Sequence, residues 1–534
     1  MDATVPPDQS AVPVDATEPP DQTSVPLPDQ SAAAPDTALA PDENLPTFDV
    51  VGPGPDQSAT LPRYDWVGIV GNGQSLAVGV QGAPTISTSN PGFPNLQLSY
   101  SGSFPCTPFD GRGTLSVTPL AEPIRPRLGC ANLSEYPDNI AGETPHSGMG
   151  RELTVLQRAA TATDYVTVHT VTGWTGRAIN FINKTGGYKG YPATLSEGQA
   201  IKNLANAAGK TFGYGAIIFT HGEADWNNPS YGTAVRQLYL DYNNDLKGIT
   251  GQTEDIPMLL TQQGTYPLDG DPNGERALST QAQWRLGVDY PGQILVVGPK
   301  YQYNYDPDGV HLDAGDYQRL GQKYAQVYYQ AVVQKIPWQP LQPISAVRSG
   351  SVISVRFNVP KPPLVWEETI VPPHQGGKHS SWRNGRGFEV QDSSGDIPIQ
   401  YARIVGDTVE IRLSYPPVGT GLVVRNAMTQ DGGLPGRRSQ LRDSDPFAGY
   451  DEETIQCQVT SGSSVVVTPG HSMARVPRDL VIAAGLPAPL RIVAVNSSTE
   501  LTLSQPWPGP TGTVALTLRH DHYNYAVQFE MAVP

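Results

Sequence analysis

Val67-Gly-Ile-Val-Gly-Asn-Gly-Gln-Ser-Leu76 is the stretch of sequence that decides the fold. It has no polar side chain before Asn72, which is typical of a strand buried on both faces of a parallel sheet. The glycines after it let the chain turn sharply, so the pattern predicts a strand, a tight turn and a helix start at Ser75. Taken alone, this turn is compatible with a nucleophilic serine, a plain tight connection or a phosphate cradle.

Short apolar runs of the same kind recur along the next 230 or so residues. Short apolar runs appear at Trp66–Val70, Tyr165–Val171, Ala216–Thr220, Pro257–Thr261 and Ile294–Val297. Helical stretches accompany them at Glu197–Ala208, Thr233–Asp245 and Ala314–Val333. Alternating strands and helices predict an open α/β sheet with helices on both faces over residues 63–338. In such sheets ligands bind beyond the carboxyl ends of the strands, so the residues after each run are the candidate site residues.

A different pattern begins after Trp338. Ile353, Val355 and Phe357 alternate with more polar neighbours. This period of two residues is typical of strands that have one buried and one solvent-exposed face. Long helical patterns are absent from there onward. We predict a β-sandwich-like module over residues 341–450 and a small β module over residues 451–534.

The first 62 residues differ from the rest in composition and charge. They hold eleven Asp and Glu but no Lys or Arg, so only −5 of the formal net charge of −16 falls on the remaining residues. Pro-Asp-Gln recurs at 7–9, 20–22, 28–30 and 55–57. Such a segment cannot bury enough apolar surface to fold, so we predict a disordered tether, either a spacer or a passive tail. The negative charge gives no electrostatic footprint for nucleic acid.

The cysteine count and the hydropathy pattern argue against a disulfide scaffold, a cysteine zinc site and a membrane span. Cys106, Cys130 and Cys457 are too few for a disulfide scaffold and lack the Cys-x-x-Cys spacing of zinc sites. Cys106 and Cys130 either form a disulfide or remain buried thiols. No apolar run approaches the roughly 18–20 residues of a membrane span, and no signal-peptide pattern opens the sequence, so we expect a soluble protein without a membrane span.

Asp308-Gly-Val-His311 follows the last apolar run and precedes the last predicted helix. A serine hydroxyl needs a base to accept its proton, and that base needs a carboxylate to fix its tautomer. An aspartate three residues before a histidine can meet that need through a local hydrogen bond. Asp306 is a competing carboxylate on the same loop.

His221-Gly-Glu-Ala-Asp225 also follows a predicted strand. Metal binding by His221, Glu223 and Asp225 is one interpretation, although their spacing without a second histidine cluster is a poor zinc signature. The alternatives are a lining of the ligand site and a structural hydrogen-bond network. We expect no metal and no cofactor.

Together, these three blocks resemble the SGNH hydrolases, and among them the carbohydrate O-acetylesterases of the sialate and xylan esterase type. Those enzymes show Gly-Gln-Ser-Asn, Gln-Gly-Glu-Ser/Ala-Asp and Asp-x-x-His in the same order. The resemblance implies a three-layer α/β/α (flavodoxin-like) fold in which Ser75 attacks the acyl carbon, His311 carries the proton and Asp308 orients His311. Leu76 departs from the family's asparagine.

The resemblance also implies an oxyanion hole made by the Ser75 N–H, the Gly176 N–H and a side chain of the middle block. His221 stands at that third position, where the family places glutamine. We predict Gln74, Glu223 and Asp225 as substrate contacts. The segment Gly142–Gly150 resembles one that these esterases bring near the site, which adds Glu143 and His146 as candidate contacts, with ordinary loop capping as the preferred alternative.

The leading hypothesis is an esterase that removes acetyl or other short acyl groups from a carbohydrate or polysaccharide. A glycan-binding or adhesion protein with little or no catalysis is the first alternative, and a lipase or polyester hydrolase is the second. Residues 490–507 resemble small β domains of phage tail and fibre proteins, whereas the acidic tether resembles linkers of secreted bacterial surface proteins. We therefore expect an extracellular or cell-surface location or, alternatively, a phage virion.

Overall fold

A computed structural model describes residues 62–101, 114–129, 134–267, 277–368, 371, 384–429, 436–472 and 475–534. The predicted tether, apart from Pro62, and the cysteines Cys106 and Cys130 lie outside the described residues. No helix in the described part of the chain is long and apolar enough to cross a membrane.

One seven-stranded sheet forms the centre of the first domain. Its strands are β1 Trp66–Gly73, β2 Leu96–Ser101, β3 Thr114–Pro119, β4 Thr167–Val171, β5 Phe212–Thr220, β6 Met258–Gln262 and β7 Ile294–Pro299. Their order is β3-β2-β4-β1-β5-β6-β7, and all neighbours are parallel except β2 and β3. The carboxyl ends of β1, β5, β6 and β7 therefore lie along one edge of the sheet.

Helices cover both faces of this sheet. Within the described residues they are α1 Pro145–Thr161, α2 Ile179–Ile182, α3 Gly190–Ala207, α4 Tyr231–Thr250, α5 Leu278–Asp289 and α6 Ala314–Tyr328, which continues into a π-helical turn at Tyr329–Val333. Because strand side chains alternate between faces, Ile69 and Ile218 pack with α1 and α6 in one apolar cluster. Val70 and Ile217 pack with α3 and α4 in another. The predicted three-layer α/β/α architecture is confirmed.

All five predicted strands form, but β2, β3, α1, α2 and α5 were not predicted. Helix α1 does carry a readable start signal, because Thr144 accepts a hydrogen bond from the His146 N–H at 3.3 Å and Pro145 is the first helical residue. The segment Gly142–Gly150, which we interpreted as a loop, is thus mostly the first turns of a helix.

Two four-stranded antiparallel sheets and one two-stranded sheet follow the first domain. Their strands are β8 Gln342–Ser349, β9 Val352–Asn358, β10 Val365–Trp366, β11 Phe388–Asp392, β12 Gly395–Asp396, β13 Ile399–Val405, β14 Thr408–Leu413, β15 Val423–Asn426 and β16 Leu441–Arg442. One sheet has the order β13-β14-β9-β8, the other contains β12-β11-β15, and β10 pairs with β16. Val355, Ile411 and Val390 of the facing sheets share one apolar core, which makes this module a β-sandwich.

A closed six-stranded barrel follows the sandwich. Its strands are β17 Glu453–Val459, β18 Val465–Val467, β19 Leu480–Ile482, β20 Leu490–Ser497, β21 Glu500–Leu503 and β22 Gly512–Arg519. Cys457 is a buried free thiol in the barrel core. The barrel ends at Arg519, which is earlier than the boundary that we predicted for the last module.

Residues beyond Arg519 return to the two earlier domains. Strand β23, Phe529–Ala532, pairs with β15 and so completes the second sandwich sheet. Just before it, the backbone N–H and carbonyl of Gln528 bond to the side chain of Gln262 at 2.8 and 2.7 Å. The predicted module 451–534 is therefore two structures, a barrel inserted into the sandwich and the last sandwich strand.

Buried ion pairs join helix α6 to the barrel and the residues before it. The Arg319 guanidinium lies 2.7 Å from Asp479 and 3.5 Å from Asp451. Arg475 contacts the same two carboxylates at 3.2 and 2.5 Å. All four side chains are at most 4% exposed, so two positive and two negative charges balance one another away from water.

We predict that Asp479→Asn lowers the free energy of unfolding by about 3–5 kcal/mol, because it removes a buried carboxylate charge that both buried guanidinium groups contact. Urea titration followed by tryptophan fluorescence measures the change. Asp407→Asn is the matched control, since its partner Arg356 is 61% exposed and exposed pairs contribute roughly 1 kcal/mol or less. Equal losses in the two variants would contradict the prediction.

Candidate active site

The backbone at the end of β1 delivers Ser75 to the carboxyl edge of the sheet. Gly73 has φ +143°, and a Cβ there would lie 2.1 Å from the carbonyl oxygen of Thr220 at the end of β5. Only glycine fits this approach. The Gln74 N–H then donates to the same carbonyl at 3.1 Å, and Ser75 opens a single 3-10 turn, Ser75–Ala77.

Two backbone N–H groups are candidate donors for an oxyanion hole. Within the described residues, the N–H groups of Ser75 and Gly176 donate to no other group. Gly176 lies in the loop after β4, and that loop is held against β1 because the Trp174 N–H donates to the Gly73 carbonyl at 2.9 Å. Two donors are thus available beside the Ser75 segment, as an oxyanion hole requires.

His311 and Asp308 form the hydrogen bond that the sequence predicted. Asp308 Oδ2 accepts from His311 Nδ1 at 2.6 Å, while Oδ1 accepts from the N–H groups of Val310 and His311 at 2.8 and 2.9 Å. Partial burial raises the Asp308 pKa, but these hydrogen bonds outweigh it and hold the pKa below its usual value. With Nδ1 donating to a carboxylate, Nε2 carries the lone pair of the neutral ring.

Asp306 does not compete for the histidine side chain. It contacts His311 through the backbone, where its N–H donates to the His311 carbonyl at 2.8 Å. In the described residues its carboxylate bonds to no part of His311. The structure therefore favours Asp308 as the carboxylate partner.

Apolar packing brings the Ser75 and His311 segments to the same part of the sheet edge. Leu76 and Leu312, the residues after Ser75 and His311, are fully buried in one cluster. In the same cluster, Tyr317 of α6 donates its hydroxyl to the Val80 carbonyl at 2.7 Å. In this structure no hydrogen bond joins the Ser75 hydroxyl to His311, whose Nε2 is buried without a partner in the described residues.

His221 does not have the geometry predicted for an oxyanion donor. Its Nε2 donates to the Arg177 carbonyl at 2.9 Å, and its Nδ1 accepts from the Tyr231 hydroxyl at 3.3 Å. The ring is fully buried and stacked between Phe219 and Tyr231. Both nitrogens are therefore occupied, which corrects the prediction for this residue.

Glu223 forms a buried ion pair that the sequence analysis missed. Its Oε1 lies 2.5 Å from Lys300 Nζ, and both side chains are at most 1% exposed. Its Oε2 is buried with no hydrogen-bond partner in the described part of the chain. Lys300 follows β7 directly, so the rule that polar residues after buried strands form the site would have found it.

The Asp225 carboxylate is buried and stabilises the local backbone, so it is not open to a substrate. Its two carboxylate oxygens accept from the Ile179 N–H and the Asn228 amide, each at 2.7 Å, which caps the start of α2. Among the described residues, no group of three His, Cys, Asp or Glu side chains has the arrangement of a metal site. The predicted substrate contact at Asp225 is corrected to a structural one.

Glu143 and His146 are also structural. Glu143 is fully buried, and its Oε2 accepts from the N–H groups of Ile86 and Ser87 at 2.9 and 3.0 Å. His146 is buried, and its Nδ1 lies 2.9 Å from the Nδ1 of His169. Burial lowers the His146 pKa to about 3. The loop-capping alternative thus describes Glu143, and His146 is a neutral core histidine.

Gln74 connects the first sequence block to the middle block, His221–Asp225. Its side-chain oxygen accepts a hydrogen bond from the Ala224 N–H at 3.2 Å. In the described residues its amide nitrogen donates to no group, and the side chain lies directly before Ser75. The segment of Ser75 therefore holds a side-chain amide whose oxygen is anchored and whose nitrogen has no partner in the described residues.

Comparisons with known proteins give distant likenesses. No protein-family model and no curated protein matches the chain. A carbohydrate acetylesterase from Xanthomonas citri is 16% identical with a TM-score of 0.43, covering 68% of this chain and 75% of its own. A protein from Arabidopsis thaliana (16%, TM-score 0.36) and NanS (10%, TM-score 0.32) each cover 50% of this chain and 99% and 97% of their own.

We predict that Lys300→Met lowers the free energy of unfolding by about 3–5 kcal/mol, because the Glu223 carboxylate is then buried without a cation. The double variant with Glu223→Gln should recover most of that loss. Chemical denaturation of the four proteins in the cycle measures the coupling. Lys247→Met, which removes one partner of the exposed Asp255 pair, is the control and should have little effect. A double variant no more stable than Lys300→Met would contradict the prediction.

Proposed function

We propose that this protein is a serine esterase that hydrolyses acetyl or other short acyl esters of a carbohydrate. The observation that carries the proposal is the 2.6 Å bond between Asp308 and His311, which leaves Nε2 available as a base on a loop whose Leu312 shares an apolar cluster with Leu76. The carbohydrate part rests on the resemblance of the three sequence blocks to carbohydrate O-acetylesterases.

The proposed reaction has two steps through one covalent intermediate. His311 Nε2 takes the Ser75 proton as the hydroxyl attacks the acyl carbon, and the resulting imidazolium is stabilised by the Asp308 carboxylate. Collapse of the tetrahedral intermediate releases the sugar alcohol, which receives the proton from His311. Water, activated by the same nitrogen, then attacks the Ser75 ester and releases the acid.

Three groups are proposed to bind the oxyanion. Two are the N–H groups of Ser75 and Gly176, which make no other hydrogen bond in the described residues. For the third we propose the side-chain amide of Gln74 in place of His221. Its oxygen is anchored by Ala224, so the nitrogen is held in one orientation and can stabilise the developing charge without reorganisation.

The function is tested by acetate release from acetylated polysaccharides and acetylated sialic acid. We expect the wild type to release acetate and Ser75→Ala to lose at least about 10⁴-fold in kcat on p-nitrophenyl acetate, because the nucleophile is removed. Full activity of Ser75→Ala would overturn the mechanism. Release from no acetylated carbohydrate, with p-nitrophenyl acetate still hydrolysed, would overturn the substrate class alone.

The assignment of the acid is tested by a matched pair of variants on one loop. Asp308→Asn should lower kcat by about 10⁴-fold, because an amide does not stabilise the imidazolium and favours the wrong tautomer. Asp306→Asn should stay near the wild-type rate, since the Asp306 carboxylate makes no bond to His311. The reverse ranking of the two rates would show that Asp306 is the working carboxylate.

The role of Gln74 has its own prediction. Both Gln74→Ala and Gln74→Glu should lower kcat on p-nitrophenyl acetate by about 100-fold, because each removes the amide donor. The glutamate variant keeps the size of the side chain and the oxygen that Ala224 contacts. If Gln74→Glu keeps the wild-type kcat at an unchanged melting temperature, Gln74 does not donate to the oxyanion.

A further inference from the structure

A polar pocket of about 440 Å³ lies on the β-sandwich, apart from the residues of the candidate active site. Its main lining side chains are those of Glu368, Asn384, Arg386, Gln400, Tyr401 and Gln440. Five of these six end in a planar amide, carboxylate or guanidinium group, and the sixth is a tyrosine.

A β-bulge presents the aromatic side of this pocket. The pairing of β13 with β14 shifts register between Ile399 and Tyr401. Regular alternation would turn one of two successive side chains inward, but Gln400 and Tyr401 are both exposed, Tyr401 by 45%. Bulges re-aim side chains in this way and occur next to functional sites.

Arg386, another lining residue of the pocket, has a strained backbone conformation. Its φ is +53°, a left-handed value that costs energy for a residue with a side chain. Its guanidinium lies over the Trp366 ring, 5.1 Å from the centroid, and 2.7 Å from the Glu368 carboxylate. These two partners fix the guanidinium and cancel its charge.

Two side-chain amides of the pocket are fixed by a hydrogen bond from their nitrogen, and the oxygen of each remains available as an acceptor. The Asn384 amide donates to the Ile399 carbonyl at 3.3 Å, and the Gln440 amide donates to the Val371 carbonyl at 3.3 Å. Neither side-chain oxygen has a partner in the described residues, and neither end of the Gln400 amide does. The pocket thus offers fixed acceptors, a free amide and one exposed ring.

We propose that this pocket is a second, non-catalytic binding site for a neutral carbohydrate chain. A sugar ring has an apolar C–H face that stacks on tyrosine, and neighbouring hydroxyls that planar amide, carboxylate and guanidinium groups bind in pairs. A neutral sugar fits because the charged lining groups, Arg386 and Glu368, already neutralise one another. The site stands independently of the chemistry at Ser75.

Such a site would keep the esterase domain at a polysaccharide surface. Two sites on one protein that engage the same polymer raise the effective concentration of each. A weak sandwich site, one that binds a few sugar units, would therefore be enough to favour attack on polymer-borne esters over small soluble ones.

The test uses the full chain and neutral polysaccharides from which all esters have been removed by alkali, so that Ser75 has no substrate. We would measure binding to arabinoxylan, mixed-linkage β-glucan and galactomannan by affinity electrophoresis, with polygalacturonate as the charged comparison. We expect the wild type to bind at least one neutral polymer more tightly than polygalacturonate. Tyr401→Ala should weaken that binding about 10-fold or more, as loss of an anchoring aromatic does.

Tyr415→Ala is the matched control, because Tyr415 belongs to the same sandwich, is 46% exposed and does not line the pocket. It should bind like the wild type. The proposal is overturned if the wild type binds none of the three neutral polymers, if polygalacturonate binds more tightly, or if the two tyrosine variants behave alike. Hydrolysis of p-nitrophenyl acetate by Tyr401→Ala should equal that of the wild type, so this outcome is separable from that of the esterase proposal.

Discussion

The close approach of the chain at Gly73 to the carbonyl of Thr220 is the constraint on which the sheet edge at Ser75 depends. Pairing of β1 with β5 runs up to these two residues, and the missing side chain lets β1 end directly against its neighbour. The same carbonyl then accepts the Gln74 N–H. Ser75 therefore leaves the sheet at a position fixed by these contacts, and in the described residues its own N–H donates to no group.

Helix α6 ties this edge to the rest of the chain. Tyr317 contacts the segment after Ser75, whereas Arg319, two residues later, points to the buried carboxylates of the barrel side. The loop with Asp308 and His311 enters this helix at Asp313, which caps it by accepting the Asp316 N–H at 2.8 Å. His311, the proposed base, thus lies in a loop that leads directly into α6, and α6 is packed on two opposite faces.

The sequence was informative where one segment decides its own structure. Unbroken apolar runs predicted the five buried strands, and an aspartate three residues before a histidine predicted a local hydrogen bond. It was not informative where distant residues meet. The carbonyl that captures His221 belongs to Arg177, 44 positions away, and the cation that neutralises Glu223 is 77 positions away. Strand β23 was missed for the same reason, since its partner β15 lies about a hundred residues upstream.

The bonds between Gln262 and Gln528 join residues 266 positions apart, on either side of the sandwich and barrel. A ribosome adding about 5–20 residues per second needs on the order of tens of seconds to make that stretch. During this interval Gln262, at the end of β6, has been made but the Gln528 backbone to which its side chain later bonds has not. The order of synthesis therefore makes the sheet edge beside the proposed site one of the last parts of the first domain to mature, after the modules that follow it have been made.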